Sequence, residues 1–427
     1  MTETSKYQQI IDFLKRQIER EILTSGQRIP SIRQLSQDFS CSKDTVQKAL
    51  LELKYQQYIY AKPQSGYYVL AQKKNEKPLP LKIKDNRQES FDDFRLCVNE
   101  ALIGRENFLF NYYPQKAGLT ALQESVHQLL NSHYIYNKAD QIAFTSGTKQ
   151  ALYILAHIPF PNQGQEILVE QPTYNRMNEV LMHYEYGYQT IERTPQGIDL
   201  ERLEEIFASG NIKFFYTIPR FHYPLGHSYS QKEKEDILKL AQTYQVYIVE
   251  DDYLEDFDRH KEPSFFYLDT EGMVIYLKSF SSILFPALRI TALLLPSQLR
   301  DDFLQYKSIV DFDSNLILQK ALSLYINNHL YDKNIQGLLK DQEDSLQKTV
   351  TILEKLSPFP VPYKILHNGL LLDIQSISSL ASLKHSALEL DFFEEAYLEK
   401  CPYHYARISH KNFQKHASLL IQQLEKK

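Results

Sequence analysis

The sequence predicts two fold classes in one chain: a small α+β head within residues 1–70 and an α/β body over residues 89–427 with a mainly parallel sheet. Three observations predict this. Apolar residues recur at helical spacing through the first fifty positions, then give way to two short aromatic and β-branched runs. From about Phe91 onward short apolar runs alternate with amphipathic stretches, the pattern of a parallel sheet covered by helices on both faces. Between the two, residues 71–88 (AQKKNEKPLPLKIKDNRQ) are charged, carry Pro78 and Pro80 and lack periodicity, which reads as a semi-extended linker.

Composition bounds the function. With 43% hydrophobic and 24% charged residues, the 427-residue chain has the material for packed cores and is neither disordered nor collagen-like. No run reaches the roughly 18 apolar residues that a membrane helix needs, and the opening MTETSKYQQI lacks the apolar core of a signal peptide. Cys41, Cys97 and Cys401 are odd in number and scattered, which suits a reducing, cytoplasmic setting and no metal cluster. Residues 1–75 hold 12 Lys and Arg against 7 Asp and Glu, a net +5, leaving −10 on the remainder of a chain whose overall charge is −5. A basic head on an acidic body suggests an anionic partner, nucleic acid above all, with a solvated lysine-rich face as the plain alternative.

In the head, Tyr7, Ile10, Ile11, Leu14 and Ile18 predict a helix over residues 6–22, ended by Ser25-Gly26. Pro30-Ser31 opens a second helix, Ile32 to Phe39. Ser42 caps a third that runs to about Leu53, with Asp44 in its first turn where a negative charge suits the dipole. The runs Tyr58–Ala61 and Tyr67–Leu70 flank Lys62-Pro63-Gln64-Ser65-Gly66 and predict a hairpin. Three helices and a hairpin make a winged helix-turn-helix, whose third helix enters the DNA major groove. Val46, Leu50 and Leu53 form its buried stripe, which leaves Lys43, Thr45 and Gln47 as exposed candidates for base contacts. Arg33 is placed to reach phosphate or a guanine edge, and Gly66 lets the wing backbone approach the minor groove. The same pattern also suits a small helical protein-binding domain.

The stretches "RIPSIRQLS", "CSKDTVQKALLEL" and "SGYYV" carry a resemblance of residues 6–70 to the GntR family of bacterial repressors. The resemblance implies operator DNA as partner and base or phosphate contacts from Arg33, Lys43, Thr45 and Gly66. Lys43 stands where that family usually has arginine, and a lysine cannot make the same bidentate guanine contact.

In the body, Ile142–Thr145, Ile167–Glu170, Phe214–Ile218, Tyr247–Glu250, Val274–Leu277 and Thr291–Leu295 predict buried strands; Lys149–His157 and Gln231–Tyr244, the latter capped by Ser230, predict helices. Ligand sites in such sheets gather at the carboxyl ends of the strands. Polar residues fall there. Ser146-Gly147-Thr148 follows a strand and opens a helix, as an anion cradle or as an ordinary N-cap. Asp251-Asp252 closes a strand and can hold Mg²⁺ or pair with a cation. Ser279, Ser281 and Arg289 follow another strand, and Arg407 can clamp a carboxylate bidentately.

The order of "NYYPQKAGLTALQESV", "IAFTSGTKQAL", "VEQPTY", "HYPLG", "YIVEDDYLEDF", "SFSSILFPALRI" and "YARIS" resembles the fold-type I, aspartate-aminotransferase-like proteins of pyridoxal phosphate (PLP) and, with the head, the MocR/GabR subgroup of GntR regulators. The resemblance implies a phosphate turn at Ser146, Gly147 and Thr148, with Ser279, Ser281 and Arg289 as further phosphate ligands. It implies that Tyr174 stacks on the pyridine ring, that Asp251 pairs with the protonated ring nitrogen, and that Tyr253 lies beside the 3-oxygen. It also implies that Arg407 grips a substrate carboxylate and that the protein is a homodimer.

One departure decides the chemistry. The family pattern reads Ser-Lys-x-x-x-Pro-x-x-Arg, and with Pro286 and Arg289 in register the lysine position is Ser282. A serine forms no Schiff base and shuttles protons poorly at neutral pH. Lys278, four residues upstream, is the nearest substitute, and Arg220-Phe221-His222 is a second departure from the subgroup's usual Ser-His-Gln. The expectation is a cytoplasmic bacterial transcription regulator with no catalytic residue. Its body would sense a small anionic effector: non-covalent PLP, pyridoxamine phosphate (PMP), a PLP–amino acid adduct, or an unrelated anion. The rival reading is a PLP-dependent aminotransferase, or a PLP-responsive regulator, that uses another lysine.

Overall fold

The computed structural model describes residues 5–425 apart from positions 21, 25, 56–57, 63–64, 71–87, 104–114, 261, 312, 378–382 and 385–387. The chain divides into two compact units, Met1–Ile83 and Lys84–Lys427.

In the first unit, helices α1 (Lys6–Glu19), α2 (Ile32–Asp38) and α3 (Lys43–Tyr55) precede a hairpin of β1 (Ile59–Lys62) and β2 (Gly66–Val69). Each helix starts where a serine hydroxyl accepts a first-turn N–H: Ser5 from Gln8, Ser31 from Gln34 and Ser42 from Thr45. Ile10, Ile11, Leu14, Leu35, Val46, Ala49, Leu50, Leu53, Ile59 and Val69 form the core, so the predicted stripes are the packed ones. The first helix stops at Glu19 rather than residue 22, because the Ile22 and Leu23 N–H groups both turn back to the Gln17 carbonyl. In the hairpin Ile59 pairs with Val69 and Lys62 with Gly66.

The second unit opens with α4 (Gln88–Leu102). The predicted linker therefore loses Gln88 to this helix, and its other residues lie outside the described ones. Ser90 donates to Asn334 and Lys333 to Glu89, which ties the start of α4 to the long helix Leu330–Lys355. A seven-stranded sheet runs in the order β3 (Ile142–Thr145), β9 (Thr291–Leu294), β8 (Val274–Ser279), β7 (Tyr247–Asp251), β6 (Ile212–Thr217), β4 (Glu166–Gln171), β5 (Tyr188–Glu192). The pairs from β8 to β5 are parallel. Strand β9 runs antiparallel to both β8 and β3, since the connection from Ser279 to Thr291 is too short for a crossover helix. Alternate residues feed opposite cores: Val169, Tyr216, Val249 and Ile275 on one face, Leu168, Phe215, Ile248 and Val274 on the other.

The C-terminal part adds an antiparallel sheet of β10 (Tyr363–Leu366), β11 (Gly369–Asp373) and β12 (Tyr405–Ser409), packed on the helix His410–Leu424. Among the described residues no helix is long and apolar enough to cross a membrane.

Candidate functional site

In the head, Arg33, Lys43 and Gln47 are exposed. Thr45 differs from its expectation: it is half-buried, and its hydroxyl lies 2.9 Å from that of Ser42, engaged in the helix cap. Gly66 has φ +110°, and a Cβ there would lie 3.3 Å from the Arg28 guanidinium. Arg28, which the motif reading did not single out, bridges to Tyr68 and lies over the wing. It adds an exposed cation beside the predicted DNA-facing elements.

In the body, the strand ends converge on a cavity of about 420 Å³ lined by Gly147, Thr148, Tyr174, Asp251, Tyr253, Ser279, Ser281, Ser282 and Arg289, together with Asn175, Ile218, Tyr223 and Pro286. One end suits an anion. Gly147 is the N-cap of the helix Thr148–His157, and no side chain caps its N–H groups. Its φ of +96° and a would-be Cβ only 2.7 Å from Arg289 show why glycine is required: the guanidinium lies against the backbone. Arg289 itself adopts the left-handed conformation (φ 52°, ψ 43°) after the turn Pro286–Leu288, which aims it back over that helix start.

The centre of the cavity is set by Asp251. Tyr216 donates to its Oδ2 at 2.8 Å, while Oδ1 is buried and, among the described residues, has no hydrogen-bond partner. Burial pushes the Asp251 carboxyl up to about 7, against the lowering effect of the Tyr216 hydrogen bond. The Tyr174 and Tyr253 phenols are also raised, by burial first and by Asp251 second, so both remain hydrogen-bond donors. A buried carboxyl oxygen without a partner is costly unless a ligand donor meets it.

Several predicted residues face elsewhere. Asp252 does not join Asp251 in a metal pair: it points to the opposite face, 3.2 Å from Arg220 Nε. That contact, a second from Arg220 to Asp258, and the 3.2 Å approach of His222 to Glu170 occupy the departing Arg220-Phe221-His222 segment behind the cavity. Ser146 is absent from the lining. Its hydroxyl donates to Asp311 at 2.7 Å and its N–H to Gln150. Arg407 is also one layer back, donating from Nη2 to Asp391 at 2.8 Å.

Among the described residues no lysine lines the cavity. Ser282 does, its hydroxyl donating to the Tyr253 carbonyl at 3.0 Å. Lys278 alternates with Ser279 along β8 and so projects from the other face, where its fully buried ammonium donates to Glu255 at 2.7 Å and also to Asp256. Those carboxylates hold its proton more firmly than usual. His133, Glu255 and Asp256 lie close enough together to hold a metal ion, but this ammonium already bridges the two carboxylates.

Comparison with known proteins gives a context for this geometry. The model of aminotransferase class I and II matches residues 68–365, and that of the bacterial regulatory proteins of the gntR family matches residues 6–69. An uncharacterized HTH-type transcriptional regulator, YcxD of Bacillus subtilis, is 38% identical over 77% of this chain and 76% of its own. Aromatic-amino-acid aminotransferase 1 of Thermococcus litoralis is 30% identical over 58% of this chain and 61% of its own. The α-aminoadipate aminotransferase LysN of Thermus thermophilus, solved with N-(5'-phosphopyridoxyl)-L-leucine, superposes with a TM-score of 0.69 at 20% identity, covering 79% of this chain and 90% of its own. The likeness in structure shows the fold, and the family matches show descent: the chain belongs to the class I and II aminotransferase family and carries a GntR-type helix-turn-helix head.

Proposed function

We propose that this protein is a DNA-binding transcription regulator whose aminotransferase-like body recognises a phosphorylated B6-type ligand without forming a bond to it. The residues present fit such a ligand at three points. Gly147, Thr148, Ser279, Ser281 and Arg289 would hold the phosphate; Tyr174 would cover the ring; and the unpartnered Oδ1 of Asp251 would accept a ring N–H. They do not fit a covalent anchor. When bound, PLP supplies an aldehyde and an electron-withdrawing ring, and the anchoring amine must come from the protein. The observation that carries the reading is Ser282, whose hydroxyl is committed to the Tyr253 carbonyl in a cavity whose described lining holds no lysine. Membership of the aminotransferase family favours the rival reading, an enzyme using another lysine. Against it, freeing Lys278 would take the ammonium from two buried carboxylates, a loss of about 3–5 kcal/mol.

The test is titration calorimetry with PLP and with PMP, followed by borohydride reduction and peptide mass mapping. Reversible binding of both, with no lysine labelled, is the expected result; a reduced cofactor on any lysine of the body overturns the proposal. For the head, anisotropy with DNA from its own promoter region should show affinity falling steeply with salt, as phosphate contacts from Arg33 and Lys43 require. The effector would act by favouring one arrangement of two heads in a homodimer. Native mass of the free and liganded protein checks the dimer.

A further inference from the structure

Arg407 and Asp391 are cross-strand partners: each backbone N–H donates to the other's carbonyl at 2.9 Å. Pairing in this register puts both side chains on one face. Arg407 Nη2 donates to Asp391 Oδ2 at 2.8 Å, and Oδ1 of the same carboxylate accepts the Phe393 N–H at 3.0 Å. Both oxygens of the carboxylate are thus held. The rings of Tyr223 and Phe393 flank the guanidinium at 5.5 and 5.6 Å, and Tyr223 is itself a wall of the cavity. The arginine to which the resemblance assigns a ligand carboxylate already holds one, and the chain supplies it.

We propose that Asp391 is an internal stand-in for a ligand carboxylate, so that the cavity selects phosphorylated pyridines without an α-carboxylate, PMP over a phosphopyridoxyl amino acid. This rests on reading the cavity as a B6 site. A second carboxylate brought to Arg407 must either displace Asp391 or share one positive charge with it. Displacement leaves Asp391 facing a like charge, and sharing sets two anions a few ångström apart. Either way the amino-acid part loses the charge-assisted hydrogen bonds that would give it affinity. An amine arm without a carboxylate meets no such conflict.

Calorimetry on the full chain with PMP and with the stable adduct N-(5'-phosphopyridoxyl)-L-alanine tests this. The unmodified protein is expected to bind PMP at least tenfold more tightly than the adduct. Asp391→Asn keeps an acceptor for the Phe393 N–H and should narrow that gap tenfold or more by strengthening the adduct, with PMP shifted less than threefold. An adduct bound as tightly as PMP by the unmodified protein overturns the inference with no variant needed. So does a gap that Asp391→Asn leaves in place. Binding of neither compound is a different failure: it removes the B6 reading of the cavity and the inference with it.

Discussion

The two ends of the cavity differ in what their charges are free to do. At one end Arg289 lies against Gly147 beside an uncapped helix start, and no carboxylate in the described structure neutralises it. Toward the other end, behind the Tyr223 wall, Arg407 is paired with Asp391, and in the lining itself the hydroxyl of Ser282 is paired with the Tyr253 carbonyl. The first end is open for an anion; the second has its polar groups satisfied from within the chain. Binding a phosphate needs only the first. Transforming a substrate needs an amine and a substrate clamp at the second. On the proposed reading the molecule has kept recognition and given up turnover, and the division falls across one cavity and the layer behind its Tyr223 wall.

The sharpest attempt to break that contrast is to restore the missing amine. Ser282→Lys should convert a protein in which borohydride traps no PLP into one labelled at position 282, an all-or-none change read by peptide mass. A variant that binds PLP and still cannot be trapped would mean that position 282 does not face the aldehyde, and the register of the motif would be wrong. The opposite end should respond almost as strongly. Gly147→Ala places a Cβ 2.7 Å from the Arg289 guanidinium on a backbone with φ +96°. That conformation alone costs about 1–3 kcal/mol for a residue with a side chain, and the displaced arginine adds to it. PMP affinity measured by calorimetry should fall by about a hundredfold.

Asp251 links the two ends and carries a pH signature. In the folded chain it keeps its proton to about pH 7, whereas its ordinary value is 3.8. Between those limits the folded state binds a proton that the unfolded state has lost, so stability falls as pH rises from about 4 to about 7 and stays lower above that. Asp251→Asn removes this slope. The variant should be more stable than the parent by about 4 kcal/mol at pH 8 and equal to it near pH 4 by denaturant titration. It should also bind PMP at least tenfold more weakly. Stability gained as binding is lost is the behaviour expected of a strained ligand group; equal stability at both pH values would show that the carboxyl is not held protonated.

Much of this was legible in the sequence, and the exceptions have physical reasons. The strand Ile142–Thr145 and the caps at Ser42 and Ser230 stand where apolar runs and side-chain chemistry place them, because short buried strands and helix starts depend on neighbours in sequence. Strand β5 escaped notice because it is an edge strand whose residues are mostly half-buried, so no apolar run marks it. The antiparallel return of β9 follows from a connection length, which residue type does not report. Nine of the residues predicted for the cavity do line it. Ser146 and Arg407 stand back from it because Asp311 and Asp391 claim them, partners 165 and 16 residues away that only the fold brings near. Tyr223 was visible inside "HYPLG", but not as a wall shared by the cavity and the Arg407 pair.

The smallest expected effect is the one that sharpens the contrast most. Arg289 and Arg407 are the same residue type, both near the cavity, so replacing each with alanine compares the two ends directly. Arg289→Ala removes from the anion end a guanidinium that no carboxylate among the described residues pairs, and should weaken PMP by one to two orders of magnitude, in line with about 1.5–3 kcal/mol for a charged hydrogen bond. Arg407→Ala removes a cation whose charge Asp391 already cancels. PMP affinity should then change less than threefold. The structural cost is also small, since the pair is part-exposed, at 22% and 39% for the two side chains, and such pairs contribute about 1 kcal/mol or less. Calorimetry and a melting curve on the two variants read both quantities. Should Arg407→Ala weaken PMP as much as Arg289→Ala does, both ends would serve the same anion, and the internal carboxylate would be no more than a placeholder that the ligand displaces.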